Sequence, residues 1–196
     1  MNLPNKLTII RVILIIPFII LLLGGYEGWG IFAGIAGTTD LIACIIFIVA
    51  SFTDFLDGYI ARKYKLVTNF GKFMDPLADK LLVCAALIAF VELDYLPAWI
   101  VIIIISREFI ISGYRLIAAD KGVVIAANYW GKFKTVSQMI MTILLILQLD
   151  YPGINIVEGI FIYSSLALTL ISLVDYIWVN RSVMYDDNQS GRDKSK

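Results

Sequence analysis

Residues 51–80 of the chain read SFTDFLDGYIARKYKLVTNFGKFMDPLADK. Asp54 and Asp57 are three residues apart, and Asp75 and Asp79 are four apart. On helices, each pair shares one face, with about 5–6 Å between neighbouring Cβ atoms. A short polar link, residues 63–69, separates the pairs. Because helices joined by a short link run antiparallel, we expect the two pairs to converge at the same depth, as a four-carboxylate site.

The composition argues against a soluble enzyme. The chain has 196 residues, enough for one domain, of which 60% are apolar and 16% charged, against a usual share of roughly 45–50% and about 25%. Sixteen basic residues balance sixteen acidic ones, so no net charge favours nucleic acid as a partner. The absence of histidine excludes Ser–His and Cys–His catalysis and His-ligated metal. Cys44 and Cys84 lie in apolar runs and are predicted to be small buried side chains.

Six apolar stretches occur, at residues 7–23, 41–53, 77–91, 96–111, 135–149 and 160–179. Several uncharged runs are shorter than the about 18 residues that mark a membrane span, so length alone leaves a soluble helical bundle open. Charge placement favours the membrane. When alternate connections face alternate sides, all sixteen Lys and Arg fall on one side, which is the pattern of a cytoplasmic face. The charged residues of the opposite connections are all acidic: Glu27, Asp40, Glu92, Asp94, Asp150 and Glu158.

We therefore predict an all-α integral membrane protein with six transmembrane helices, charged cytoplasmic ends and both termini inside. Residues 1–185 form a single catalytic domain in this prediction. Residues 186–196 are polar and are expected to be a disordered cytoplasmic tail.

Four clustered carboxylates at a membrane boundary require neutralising cations, because repulsion and desolvation disfavour four bare charges. Oxygen-only ligands favour Mg²⁺ or Mn²⁺, and two such ions would balance the four charges, an arrangement used in phosphoryl transfer. Gly58 and Gly71 indicate close approach of a ligand to the backbone. Arg62, one turn beyond Gly58, is suited to a pyrophosphate. The alternative is helix packing, with each Asp paired to Lys63, Lys72 or Lys80.

The pattern D-x-x-D-G-x-x-A-R-x(8)-G-x-x-x-D-x-x-x-D resembles the signature of the CDP-alcohol phosphotransferases. Its positions are filled by Asp54, Asp57, Gly58, Ala61, Arg62, Gly71, Asp75 and Asp79. The resemblance implies that Asp54 and Asp75 bridge two metal ions, that Asp57 completes one site and Asp79 the other, and that Asp79 is also the general base.

The same resemblance implies a binding site for a CDP-activated lipid. Gly58, Arg62 and Gly71 belong to it, with Thr68 in the link as a further contact. The amino-terminal segment, residues 4–11, is similar to the family's cytidine-side segment and adds Asn5 and Thr8. The alternative for this segment is the start of an interfacial helix.

Residues 106–109, 113–115 and 131–138 resemble the family branch that makes phosphatidylglycerophosphate. They place Arg107, Arg115, Lys132 and Lys134 at the inner ends of two helices, where they would bind the anionic acceptor glycerol 3-phosphate. The alternatives are positive-inside topology and, for Arg115, an ion pair with Glu108.

The implied reaction transfers the phosphatidyl group of CDP-diacylglycerol to the sn-1 hydroxyl of glycerol 3-phosphate and releases CMP. The family resemblance also implies a homodimer among membrane lipids, with its active site on the cytoplasmic side of a bacterial cytoplasmic membrane. A sibling enzyme with another acceptor, of the cardiolipin, phosphatidylserine or phosphatidylinositol phosphate synthase type, remains the alternative. A carboxylate-based cation transporter is a more distant one.

Overall fold

The computed structural model describes residues 3–26, 29–32, 36–63, 69–120, 123 and 129–181, with side chains left out at 3–7, 36, 54–63, 69–77, 79 and 120. Within these residues the chain forms six α-helices and no strand. They are α1 (Leu3–Gly24), α2 (Ala36–Lys63), α3 (Asn69–Glu92), α4 (Ala98–Asp120), α5 (Tyr129–Leu147) and α6 (Ile154–Val179).

The predicted all-helical fold is confirmed, because each apolar stretch corresponds to one helix. Two stretches overrun their helix by two residues. The stretch at 96–111 includes Pro97, which directly precedes α4, and that at 135–149 continues past Leu147 to Gln148, whose φ of 42° leaves the helical region. α2 has 28 residues, about 42 Å at 1.5 Å per residue, and extends ten residues beyond its apolar stretch.

By length and composition, one helix among the described residues, Ile154–Val179, is long and apolar enough to cross a membrane. Thr8–Gly24 and Gly37–Thr53 are apolar over shorter lengths. The six transmembrane spans therefore stay a prediction.

The helices pack around an interior between α1, α2, α3, α4 and α5. α1 lies against both α2 and α3, which touch each other directly at only a few positions, and α5 lies against α6. Phe18 of α1 and Phe47 of α2 are fully buried, with ring centroids 6.0 Å apart. Phe90 and Met141 bring α3 and α5 into the same apolar core. α1 therefore joins the two helices that carry the aspartate pairs.

Beside its apolar core the bundle buries several charged and polar side chains, and it exposes many large apolar ones. Arg11, Arg107, Lys134 and Gln138 are all at least nine-tenths buried. The exposed large apolar side chains include Ile13, Ile88, Ile102, Leu116 and Val174, each 58–68% exposed. A protein surrounded by water has the reverse distribution, since charged side chains are rarely fully buried in such proteins.

Candidate active site

The backbone places the two aspartate pairs at matched positions on α2 and α3. Asp57 lies six residues before the end of α2, and Asp75 lies six residues after the start of α3. The five intervening residues keep the two helix ends within roughly 20 Å. Equal distances from a short link bring both pairs to the same end of the bundle.

For the site residues predicted on these two helices, the structure gives the position along the helix. Asp54, Asp57, Gly58 and Arg62 are in the last ten residues of α2, and Gly71, Asp75 and Asp79 are in the first eleven of α3. Their side chains lie outside the described part of the chain, and so does that of Asn5 on α1. Thr68 lies wholly outside the described residues. Metal coordination and contacts with CDP-diacylglycerol therefore stay predictions.

α1 brings two polar side chains into the interior beside α2 and α3. Thr8 is fully buried, and Arg11, one turn later, is 1% exposed. Both side chains have interaction partners. The sequence motif included Arg11 but gave it no role. An arginine buried this deeply needs a compensating negative group, so Arg11 belongs with the charged interior rather than with an interfacial helix start.

A second set of polar side chains connects α4, α5 and α6 through hydrogen bonds. Arg107 Nη1 donates a hydrogen bond to Glu108 Oε1 at 3.0 Å, and its Nε and Nη2 donate to Ser172 Oγ at 3.1 and 2.8 Å. The Lys134 ammonium donates to the same oxygen of Glu108. We call Arg107, Glu108, Lys134 and Ser172 the Arg107 cluster.

The Arg107 cluster carries two positive charges and one negative charge. Arg107 is 9% exposed and Lys134 4% exposed. Glu108 bonds both cations, and Lys134 has further contacts as well. Charge-assisted hydrogen bonds to phosphate or carboxylate oxygens are strongest in such surroundings, where competing water is scarce. The cluster is therefore suited to an anion.

Lys80 connects the cluster to the helix that carries Asp75 and Asp79. Its ammonium donates to Ser112 Oγ on α4, and this hydroxyl donates to the backbone oxygen of Glu108 at 2.6 Å. From the sequence, Lys80 was only an alternative ion-pair partner for an aspartate, and Ser112 had no role. They are 32 positions apart, and only the packing of α3 against α4 brings them together.

The four cations predicted to bind the acceptor separate into two groups. Arg107 and Lys134 meet at Glu108, whereas Arg115 and Lys132 are exposed. Arg115 lies eight residues beyond Arg107, about 12 Å along the helix.

The contacts of the two exposed cations are aromatic. The guanidinium of Arg115 lies 5.6 Å from the centre of the Tyr176 ring, and its Nε is 3.3 Å from the Tyr176 hydroxyl. The ammonium of Lys132 lies 5.3 Å from the centre of the Tyr129 ring. The sequence left open an ion pair between Arg115 and Glu108. That alternative is wrong for the described residues, because Glu108 pairs with Arg107 and Lys134 instead.

A family model described as CDP-alcohol phosphatidyltransferase matches residues 1–171. The chain belongs to this family. The resemblance read from the aspartate motif is thereby confirmed, and the match covers both aspartate-bearing helices and the helices of the Arg107 cluster up to residue 171.

Relatives within the CDP-alcohol phosphatidyltransferase family align with most of the chain. It is 53% identical over 148 residues to a CDP-diacylglycerol–glycerol-3-phosphate 3-phosphatidyltransferase of Bacillus subtilis (strain 168), which covers 74% of this chain and 77% of that protein. Proteins with the same name are 40% identical in two other bacteria. The Haemophilus influenzae protein aligns over 193 residues, 96% of this chain and 98% of its own length, and the Rickettsia typhi protein over 178 residues, 89% and 94%.

Proposed function

We propose that the chain transfers the phosphatidyl group of CDP-diacylglycerol to the sn-1 hydroxyl of glycerol 3-phosphate, giving phosphatidylglycerophosphate and CMP. The observation that carries this proposal is the Arg107 cluster, which buries two cations beside one carboxylate inside the bundle. A phosphorylated acceptor needs such a pocket, and a neutral alcohol does not. The names of relatives that align with nearly the whole chain agree with this acceptor.

Asp54, Asp57, Asp75 and Asp79 would hold two divalent cations, Mg²⁺ or Mn²⁺. The donor set fits, because it consists of carboxylate oxygens arranged one helical turn apart on each of two helices. When bound, such ions offset negative charge on a transferring phosphoryl group and polarise the attacking hydroxyl.

Residues of α1, α2 and α3 would hold the lipid donor. Arg62 and the backbone at Gly58 and Gly71 would contact its diphosphate, with Thr68 as a further contact. Asn5 and Thr8 would bind the cytidine side. The burial of Thr8 on the helix that packs against both α2 and α3 supports its place in this pocket.

Asp79 would act as general base. It takes the proton of the acceptor hydroxyl while the hydroxyl oxygen bonds to the phosphorus attached to diacylglycerol, and the bond from that phosphorus to the departing CMP oxygen breaks. Lys80, the next residue, reaches Ser112 beside Glu108. This contact supports the proposal, because it brings the backbone next to Asp79 close to the Arg107 cluster, and one small acceptor would have to contact both.

The apolar outer surface supports a multi-pass location in the cytoplasmic membrane, with CMP and glycerol 3-phosphate exchanging on the basic, cytoplasmic side. In this proposal the lipid donor enters laterally between helices, and two copies of the chain form a homodimer. Arg115 and Lys132, exposed at the same basic end, would attract the anionic acceptor rather than hold it in place.

Acceptor competition tests the reaction. Purified protein in detergent is given CDP-diacylglycerol with glycerol 3-phosphate, serine, inositol phosphate or phosphatidylglycerol. We expect CMP release and phosphatidylglycerophosphate only with glycerol 3-phosphate. Efficient use of another acceptor would show a sibling activity, and continued product formation in excess chelator would overturn the metal proposal.

A further inference from the structure

A small cavity lies beside the Arg107 cluster, between α2, α3, α4 and α5. Its volume is about 60 Å³, roughly the space of two water molecules in the liquid. Its polar wall is formed by Lys80, Glu108, Lys134, Thr135, Gln138 and Thr142. Cys84, which was predicted from the sequence to be a small buried side chain, is partly buried and lines the same space. The cavity is large enough for the terminal group of a ligand and too small for a whole substrate.

The side chain of Gln138 is the unexplained polar group of this cavity. Gln138 is 3% exposed, and its amide nitrogen has no hydrogen-bond partner among the described residues. The neighbouring hydroxyl of Thr142 is already used, because it donates to the backbone oxygen of Gln138 at 2.9 Å. A buried donor without a partner is costly in free energy, and native structures usually explain it by an ion, a water or a ligand.

The charges around Gln138 indicate what its donor meets. Lys134 lies one turn before Gln138 on the same face of α5, and Lys80 faces the cavity from α3. Both ammonium groups are held in place, Lys134 by Glu108 and Lys80 by Ser112. A donor amide beside these cations favours an anionic oxygen over a neutral one.

We propose that Gln138 is a specificity-determining residue for the acceptor, whose amide nitrogen donates a hydrogen bond to an oxygen of the acceptor's phosphate in this cavity. This inference rests on the proposed function and goes beyond it, because it assigns the recognition of the phosphate to an uncharged side chain. A buried amide recognises its partner by position, so it would discriminate phosphorylated acceptors from alcohols of similar size.

The test replaces Gln138 with two side chains of similar length. Gln138→Met removes the donor, and Gln138→Glu replaces it with a negative charge. Gln148→Met makes the same chemical change at an exposed position just after α5, where the amide donates to the backbone oxygen of Leu145, and serves as the matched control. Steady-state kinetics are measured for both substrates in detergent, with inorganic phosphate as a competitor of glycerol 3-phosphate.

We expect Gln138→Met to raise the KM for glycerol 3-phosphate about tenfold or more, the effect of losing one hydrogen bond to a charged group. The KM for CDP-diacylglycerol and kcat should change little. Inhibition by inorganic phosphate should weaken by a similar factor, and Gln138→Glu should raise the KM further because it repels the phosphate. Gln148→Met should behave like the unaltered protein.

Three results would overturn the inference. The first is an unchanged KM for glycerol 3-phosphate with a lowered melting temperature, which would mean that Gln138 only holds a structural water. The second is a raised KM with unchanged inhibition by phosphate, which would place another part of the acceptor at Gln138. The third, no turnover of glycerol 3-phosphate by the unaltered protein, would reject the proposed function itself and is visible in the same assay.

Discussion

Glu108 places a carboxylate inside a pocket that we propose binds an anion. The carboxylate is useful there because it fixes the guanidinium of Arg107 and the ammonium of Lys134 at one point. Two cations buried without a counter-charge would repel each other and separate. We therefore expect Glu108 to position the proposed phosphate-binding groups rather than to contact substrate itself.

Replacing Glu108→Gln keeps the shape and removes this charge. We expect a lower melting temperature, corresponding to a loss of up to about 3 kcal/mol, the lower end of the range for broken buried pairs, because Glu108 keeps some exposure. Glycerol 3-phosphate should then stabilise the variant less than the unaltered protein, because the two cations are no longer held together at the proposed binding site. Thermal unfolding in detergent with and without ligand measures both effects.

The matched control for this change is Glu92→Gln, at the exposed end of α3. It should leave the melting temperature and the ligand response unchanged. Equal ligand responses in Glu108→Gln and the unaltered protein would contradict the positioning role of Glu108.

Asp79→Asn tests the proposed base. Loss of general-base catalysis typically costs 10²–10⁴-fold, so we expect turnover to fall by about 10²-fold or more while membrane insertion and CDP-diacylglycerol binding persist. Asp94→Asn is the control, because Asp94 is exposed between α3 and α4 with a φ of 56°, a conformation that asparagine also adopts. Near-normal turnover by Asp79→Asn would refute the assignment.

At the scale of the element, α6 combines two unlike faces. Ser165, Thr169, Ser172 and Tyr176 are buried at spacings of four, three and four, along one side of the helix. Ser165 bonds Ser137 of α5 at 2.9 Å, and the Tyr176 ring meets Tyr114 of α4 edge to face. The opposite side is apolar and exposed. Hydroxyl hydrogen bonds between helices are a usual means of association in membranes.

Two serine variants separate helix packing from substrate binding. Ser137→Ala and Ser172→Ala should each lower the free energy of unfolding by about 0.6 kcal/mol, the average for such bonds. Only Ser172→Ala should also raise the KM for glycerol 3-phosphate, a few-fold, because Ser172 accepts two hydrogen bonds from Arg107. Similar KM values for the two variants would contradict this division.

The same element shows what a sequence can and cannot predict. The helices were predictable, because each apolar run is continuous along the chain and so is its hydrophobic signal. The Arg107 cluster was only half predictable, since its members come from three helices and no local pattern pairs residue 107 with residue 172. Arg107 and Arg115 looked alike in the sequence, as cations at one helix end, and packing alone buries the first and exposes the second.

At the scale of the whole molecule, the sorting of cations predicts an orientation that can be tested. In a chain with Cys44 and Cys84 replaced by alanine, cysteines are introduced singly as Tyr151→Cys and Arg181→Cys, at exposed positions on opposite predicted sides. A membrane-impermeant maleimide should label Tyr151→Cys in intact cells and Arg181→Cys only after permeabilisation. Labelling of Arg181→Cys in intact cells would reverse the orientation, and recovery of the protein in the soluble fraction would reject the membrane location.

The bond between Arg107 and Ser172 has a consequence for biogenesis. The ribosome synthesises α4 before α6. The guanidinium of Arg107 can therefore bond the hydroxyl of Ser172 only after the last helix has been made. A nascent chain released early would keep a strong charge without this anchor and should be recognised as defective by quality-control proteases. In the proposed function, the complete acceptor pocket would therefore form only after the last helix has been synthesised.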